Sequence, residues 1–227
     1  MKPYLKNNRT GKVEKGAVGQ LHEHDLEEIM RVQQLAASTL EDSSVYVASN
    51  RAEVLTMLND GEMQGMFADG KLCGVCGILR CTDDPTLADE LDFDSQQKEK
   101  ALNLECYFVL PDYRGNGIAR ELARLCLDRA QQRFGARCLL ASVSPKNLAS
   151  LMTMMSINGF RIRALRQLYG CKLRYILCCD PSSERLYTYY ERFAVEDVYA
   201  ISRALAQGYE GIATFTNADG SFVWLAK

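Results

Sequence analysis

The chain has 227 residues, 47% of them hydrophobic and 25% charged, with a net charge of −2 and a pI near 5.8. These values fit a globular domain with an appendage and exclude the basic balance of a nucleic-acid binder. Nine cysteines are an odd number, no apolar core follows the basic start as a signal peptide requires, and no run of about 18 apolar residues exists. The expectation is a reduced, cytoplasmic protein that neither binds nucleic acid nor spans a membrane.

Residues 1–16 form a basic N-terminal segment with Lys2, Lys6, Arg9, Lys12 and Lys15, read as a frayed tail or a first strand. A short strand is expected near 17–21, then a helix capped by Asp25 with Glu28 as its box partner. Leu26, Ile29, Met30 and Leu35 give that helix its apolar stripe. A second helix begins at Asn50 with Glu53 as box partner and carries Val54, Leu55 and Leu58 inward. Two strands, 63–68 and 72–80, are joined by Asp69-Gly70, a strong hairpin signal. Residues 82–101 then crowd Asp83, Asp84, Asp89, Glu90, Asp92 and Asp94 behind Pro85. They read as a long solvated loop, with a short helix after Asp84 as one variant and attraction of a cationic amine as its functional reading.

The central strand is expected at 102–110. Strand alternation would put Asn103, Glu105, Tyr107 and Val109 on one face and Leu104, Cys106, Phe108 and Leu110 on the other. The strand runs into Y-F-V-L-P-D-Y-R-G-N-G-I-A, from Tyr107 to Ala119, and straight into a helix that reaches about Phe134. Gly115 and Gly117 allow a sharp turn and a close backbone approach. The first helical N–H groups have no intrahelical acceptor, and the helix dipole favours an anion there. A dinucleotide fingerprint would want a third glycine where Arg120 stands, and a P-loop would want Gly-Lys followed by Ser or Thr, so neither nucleotide motif is met. Arg120 itself reads as a solvated helix side chain.

A strand at 138–143 follows, then a helix capped by Asn147 that ends at Asn158-Gly159. Strands 160–169 and 172–179 form a hairpin around Gly170. Asp180-Pro181-Ser182-Ser183 reads as a linker. Beyond it are expected an aromatic strand at 186–190, a helix at 195–206 and a hairpin at 211–225.

The stretch R-x-x-G-x-A from Arg114 to Ala119, the preceding V-L-P strand end, Asn147 and Asn158-Gly159-Phe160 together resemble the GNAT superfamily of acetyl-CoA-dependent N-acetyltransferases. The resemblance covers residues 17–180. It implies a mixed α/β fold with a largely antiparallel split sheet flanked by helices, followed by a small α+β extension over 181–227. It also implies that backbone N–H groups of Arg114, Gly115, Asn116, Gly117, Ile118 and Ala119 hold the coenzyme pyrophosphate. Backbone groups of Tyr107 and Val109 would pair with the pantetheine arm, and the Asn147 side chain would bond it. The implied reaction moves an acetyl group from acetyl-CoA, as co-substrate and without a metal, to a primary amine of a small molecule or amino acid. A silent acyl-CoA-binding module and a peptide N-terminal acetyltransferase are the alternatives.

An amine attacks only when neutral, so a base must take its proton, and a developing oxyanion needs a donor in place. Glu105 is the candidate base, because a carboxylate in mid-strand is costly unless it is paired or faces a cleft. Many family members carry a tyrosine acid in the helix after the asparagine; here Met154-Met155 stand there, and neither donates a proton. Some place a glutamate on the strand before it; here that residue is Ser142. Tyr107, Tyr169 or water are left as proton donors.

Other patterns have structural readings. Cys73-x-x-Cys76 lacks the second half of a zinc site, and Cys178-Cys179 point to opposite strand faces, so all four read as buried strand residues. His22-Glu23-His24 lacks a third metal ligand and reads as a solvated loop. Met152, Met154 and Met155 read as core, with a lining of the thioester channel by part of them as the functional alternative. Tyr187, Tyr189 and Tyr190 read as packing of the extension onto the main sheet, or as a substrate wall or the surface of a homodimer formed through the extension.

Overall fold

A computed structural model of the protein describes residues 4–81, 86–157, 159–180 and 185–227. The expectations that fall on Lys2, Asp83, Asp84, Pro85, Asn158, Pro181, Ser182 and Ser183 lie outside these residues. In chain order the described residues form β1 (Tyr4–Lys6), β2 (Val13–Gln20), α1 (Leu26–Ala37), α2 (Arg51–Asn59), β3 (Glu62–Ala68), β4 (Lys71–Arg80), α3 (Ser95–Glu99), β5 (Ala101–Val109), α4 (Ile118–Phe134), β6 (Cys138–Val143), α5 (Leu148–Met155), β7 (Phe160–Leu168), β8 (Lys172–Cys179), β9 (Tyr190–Ala194), α6 (Val198–Ala206), β10 (Glu210–Asn217) and β11 (Gly220–Ala226). The fold is mixed α/β with mostly antiparallel pairing. It divides into two compact units, Met1–Arg80 with Leu102–Gly135, and Cys81–Ala101 with Ala136–Lys227.

In the first unit β1 to β5 pair antiparallel in chain order. The basic start is therefore structured: β1 buries Leu5 between exposed Tyr4 and Lys6, and β2 starts at Val13 rather than near Ala17. The β3–β4 hairpin turns at Asp69 (φ 46°) and Gly70 (φ 79°), as the Asp-Gly pair requires. Asn50 caps α2 by accepting the Ala52 and Glu53 N–H groups, while Glu53 accepts the Asn50 N–H.

Three expectations change here. Asp25 does not cap α1; its carboxylate accepts the His22 N–H at 2.9 Å across a 3-10 turn, Glu23–Asp25. The α1 stripe is Leu26, Ile29, Val32, Gln33 and Ala36, with Leu35 at 43% exposure, because the buried face runs through positions three and four apart. In α2, Val54 and Met57 are buried, and Leu55 and Leu58 pack only partly against the core.

The first unit's core joins Leu21, Ile29, Val32, Val54 and Met57 to Val75, Cys106 and Phe108 of the sheet. On β4, a Cβ at Gly74 would lie 2.7 Å from Ile118 Cγ2, so the glycine admits the start of α4 against the sheet. At the other end of α4, Arg133 donates to the buried Glu62 carboxylate at 2.9 Å, and Gln64 donates to it at 2.6 Å. A buried carboxylate satisfied twice in this way fixes α4 on β3.

In the second unit the strand order is β6-β8-β7-β10-β11-β9. Residues 86–100 are not all loop: Asp94 and Gln97 cap α3 reciprocally. A core of Leu87, Ala88, Leu140, Ala164 and Ile176 lies in this unit. The C-terminal residues pair into the same sheet, with Gly211 opposite Ile162. The aromatic strand is displaced from 186–190 to Tyr190–Ala194, where it pairs with β11. The last helix starts at Val198, because Asp197 accepts the Ala200 N–H and sets the start there. Buried Glu210 ties the extension down: it accepts from Tyr187 Oη at 2.9 Å, from Arg163 Nε at 2.9 Å and from Arg185.

Candidate active site

The glycine turn lies in the first unit. Leu110 runs into a 3-10 turn, Pro111–Tyr113, followed by Gly115 (φ 81°) and Gly117 (φ 79°). These are left-handed positions that suit glycine, and Gly117 is the N-cap of α4. The first i→i−4 bond of the helix runs from the Glu121 N–H to the Gly117 carbonyl at 3.1 Å. The N–H groups of Ile118, Ala119 and Arg120 precede that bond, at the positive end of a 17-residue helix dipole. Gly115 is exposed, and a Cβ there would meet nothing within 4 Å. Space, orphan donors and dipole together fit a phosphate group.

The Arg114 side chain faces elsewhere. Its Nη2 donates to the Ala36 carbonyl at 3.1 Å and Thr39 Oγ1 at 3.0 Å, and its Nε donates to the Val109 carbonyl at 3.4 Å. Asn116 and the preceding turn are bonded to the N-terminal segment. Asn116 Oδ1 accepts the Lys6 N–H at 2.9 Å, while Nδ2 donates to the Lys6 and Tyr113 carbonyls, both at 2.9 Å. Asn8 donates to the Asp112 and Arg114 carbonyls at 2.7 and 2.8 Å. The Tyr113 hydroxyl donates to Glu14 at 2.7 Å and accepts from Asn7 at 3.1 Å; burial and then the Glu14 bond push this phenol up to about 12.

Strand β5 leads into the turn. The Leu110 N–H donates to the Cys73 carbonyl at 2.9 Å. Bonded and unbonded pairs alternate in an antiparallel ladder, so the pairs Gly74↔Val109 and Cys76↔Tyr107 are unbonded ones. The backbone groups of Tyr107 and Val109 therefore point away from β4. The Tyr107 side chain is half-buried, and burial, followed by Cys76, pushes its phenol well above the usual tyrosine value.

Glu105 corrects the simple alternation. Gly77 pairs with Cys106 and Ile78 with Leu104, so Glu105 is the extra residue of a β-bulge. Its side chain is exposed, unlike its buried neighbours Leu104 and Cys106. The bulge also resets the faces: Asn103 shares a face with Cys106 and Phe108, and Leu104 shares one with Tyr107 and Val109. Periodicity could not reveal this, because a bulge shifts the count by one.

In the second unit Asn147 caps α5, its Oδ1 accepting the Ser150 N–H at 3.1 Å. Met154 and Met155 are buried core residues. Ser142 and Tyr169, singled out separately in the sequence, meet there: their hydroxyls are 3.2 Å apart, and Tyr169 adopts φ 51°. Cys73 and Cys76, like Cys178 and Cys179, are buried strand residues. His22 and His24 stack at 5.7 Å. Among the described residues no group of three or more His, Cys, Asp or Glu side chains is arranged to hold a metal, and no helix is long and apolar enough to cross a membrane.

The profile of the acetyltransferase (GNAT) family matches residues 26–160, more than half of the chain. The chain belongs to this family. It is a family of acetyl-CoA-dependent acetyltransferases, and the glycine turn of this member sits at the start of α4. Solved GNAT structures share the fold. The ribosomal-protein-S18-alanine N-acetyltransferase of Escherichia coli is 18% identical, with a TM-score of 0.55 over 76% of this chain and 99% of its own. The yncA protein of Salmonella typhimurium with acetyl-CoA is 15% identical, with a TM-score of 0.56 over 77% and 98%. The PaiA N-acetyltransferase of Thermoplasma acidophilum with coenzyme A is 15% identical, with a TM-score of 0.53 over 73% and 99%. No curated protein matches the chain significantly. The sequence did not single out Asn7, Asn8 or the Asn116 side chain, although a first strand was one reading of the basic start.

Proposed function

We propose that this GNAT protein transfers an acetyl group from acetyl-CoA to the primary amine of a small molecule or amino acid. The observation that carries the reading is the glycine turn at the start of α4: two left-handed glycines, open space at Gly115 and orphan helical donors at one point. Backbone N–H groups of Arg114 through Ala119 hold the coenzyme's pyrophosphate. Backbone groups of Tyr107 and Val109 take its pantetheine arm, and Asn147 Nδ2 adds a bond to that arm while Oδ1 keeps its cap. Acetyl-CoA supplies a thioester-activated acetyl group. Glu105, presented by the bulge and exposed, accepts the proton of the attacking amine directly or through water. Tyr107 keeps its phenolic proton at ordinary pH, and in this reading it is the proton donor.

A screen of acetyl-CoA turnover over a panel of small amines, amino acids and peptides tests the reading. Release of free thiol with a small amine supports it, and turnover with peptides alone redirects it to peptide N-terminal acetylation. Binding of acetyl-CoA without turnover supports a silent module. Met154 and Met155 stand where many family members carry a tyrosine acid, and their inability to donate a proton favours that second reading.

The nine cysteines, which form no disulfides, suit a reducing, cytoplasmic setting. In the second unit β9 is an edge strand beside exposed Tyr189 and Tyr190, and a homodimer through this extension is part of the proposal. Light scattering that reports a monomer at working concentration removes it.

A further inference from the structure

Residues 4–9 precede the stretch matched by the family, yet they make the longest-range bonds to the glycine turn. Lys6 and Asn116, 110 positions apart, bond in both directions. The Asn116 carboxamide thus imitates a strand partner for the free edge of β1, accepting from the N–H of Lys6 and donating to its carbonyl. Asn8 reaches the Asp112 and Arg114 carbonyls, and Arg9 reaches the Asp112 carboxylate at 2.9 Å.

The direction of these bonds matters. Both Asn8 contacts to the backbone of the turn end on carbonyls, and none uses a turn N–H. The C=O and N–H of a trans peptide point in opposite directions. Holding the Arg114 carbonyl toward Asn8 therefore aims the Gly115 N–H the other way, away from Asn8. Gly115 and Gly117 make the turn easy to bend and costly to order, so something outside it must hold one conformation.

We infer that the N-terminal segment is a working part of the coenzyme site, with Asn116 and the Lys6 backbone as a clasp that positions the turn's N–H donors. The inference rests on the coenzyme reading of the turn. Asn116 acts here through its side chain as a positioning residue, apart from any contact its backbone makes.

The clasp can be opened from either side. Asn116→Ala removes the carboxamide and keeps the backbone N–H. Lys6→Pro removes the donor on β1, and because the Lys6 N–H points at Asn116 it takes no bond from the β1–β2 ladder. Lys6→Ala is its control for the lost charge. Calorimetry with coenzyme A is read on wild type, on each variant and on the Asn116→Ala/Lys6→Pro and Asn116→Ala/Lys6→Ala pairs. Asn116→Ala is expected to weaken coenzyme binding by about tenfold, which converts to about 1.4 kcal/mol. In turnover the KM for acetyl-CoA rises, while kcat and the acceptor KM hold. Lys6→Pro is expected to bind several-fold more weakly than Lys6→Ala, and that gap closes once Asn116 is alanine. If Asn116→Ala does not fold, the proline–alanine gap at Lys6 carries the test alone. Variants that fold and bind like wild type, or a gap that persists without Asn116, overturn the inference alone. A wild type that fails to bind coenzyme A removes the coenzyme reading as well.

Discussion

Arg114 Nη2 donates to the carbonyl of Ala36 at 3.1 Å, so the arginine of the family motif serves the last turn of α1. A cation at a helix C-terminus meets the negative end of the dipole and satisfies a carbonyl left over from the helix. The positive charge of this side chain is thereby committed to the fold, and the anion site is left to the backbone.

Arg114→Ala is therefore expected to lower stability by about 1–2 kcal/mol, the worth of a charged hydrogen bond. Coenzyme affinity should change by less than about threefold, under 1 kcal/mol. Urea unfolding and coenzyme titration of the same variant check both. A large loss of affinity at unchanged stability would show the guanidinium on the phosphates instead.

Glu105→Gln is expected to reduce kcat by about 10²-fold, as loss of a general base does, with coenzyme affinity kept. The carboxamide preserves the size of the bulge residue but takes no proton. The acidic limb of the pH–rate profile should disappear in the variant; if that limb is retained, another group is the base.

The Tyr113–Glu14 bond gives an alkaline signature. The folded-state value of the phenol, about 12, lies above the ordinary value near 10. The bond's contribution is thus fully present below pH 10 and is lost as the pH rises toward 12. The tyrosinate absorbance titration of wild type minus Tyr113→Phe should show one phenol ionising in that upper window. A difference curve centred at the ordinary value would contradict the network.

Asn147→Ser separates capping from ligand binding. Serine is as good an N-cap as asparagine, so stability should hold within a few tenths of a kcal/mol. The amide donor is lost, and the KM for acetyl-CoA should rise several-fold. Loss of stability without a change in KM would leave Asn147 as a cap only.

Glu210→Ala should destabilise the protein by about 2–3 kcal/mol, less than a fully buried ion pair because both arginines reach solvent. Denaturant unfolding measures it. A neutral result would mean that Glu210 does not anchor the extension.

What the sequence revealed follows from the range of each signal. Local chemistry was legible: Asn50 with Glu53, Asp69-Gly70, Asn147, and the two glycines before α4 each act within a few residues, and each appears where its pattern requires. Position-counting failed where geometry adds or removes a residue. The bulge at Glu105 reset the faces of β5, and Asp197 moved the start of the last helix by three residues. Long-range pairing had no local trace. Asn7, Asn8 and Asn116 have the composition of ordinary turn residues, and only the fold brings the first two to the third's turn.

The measurement that bears most directly on the glycine turn is a calorimetric titration of the purified wild-type protein with coenzyme A. The expected result is saturable one-to-one binding in the micromolar range. No detectable heat up to high micromolar coenzyme would contradict the assignment of the turn at Arg114 to Ala119 as the pyrophosphate site.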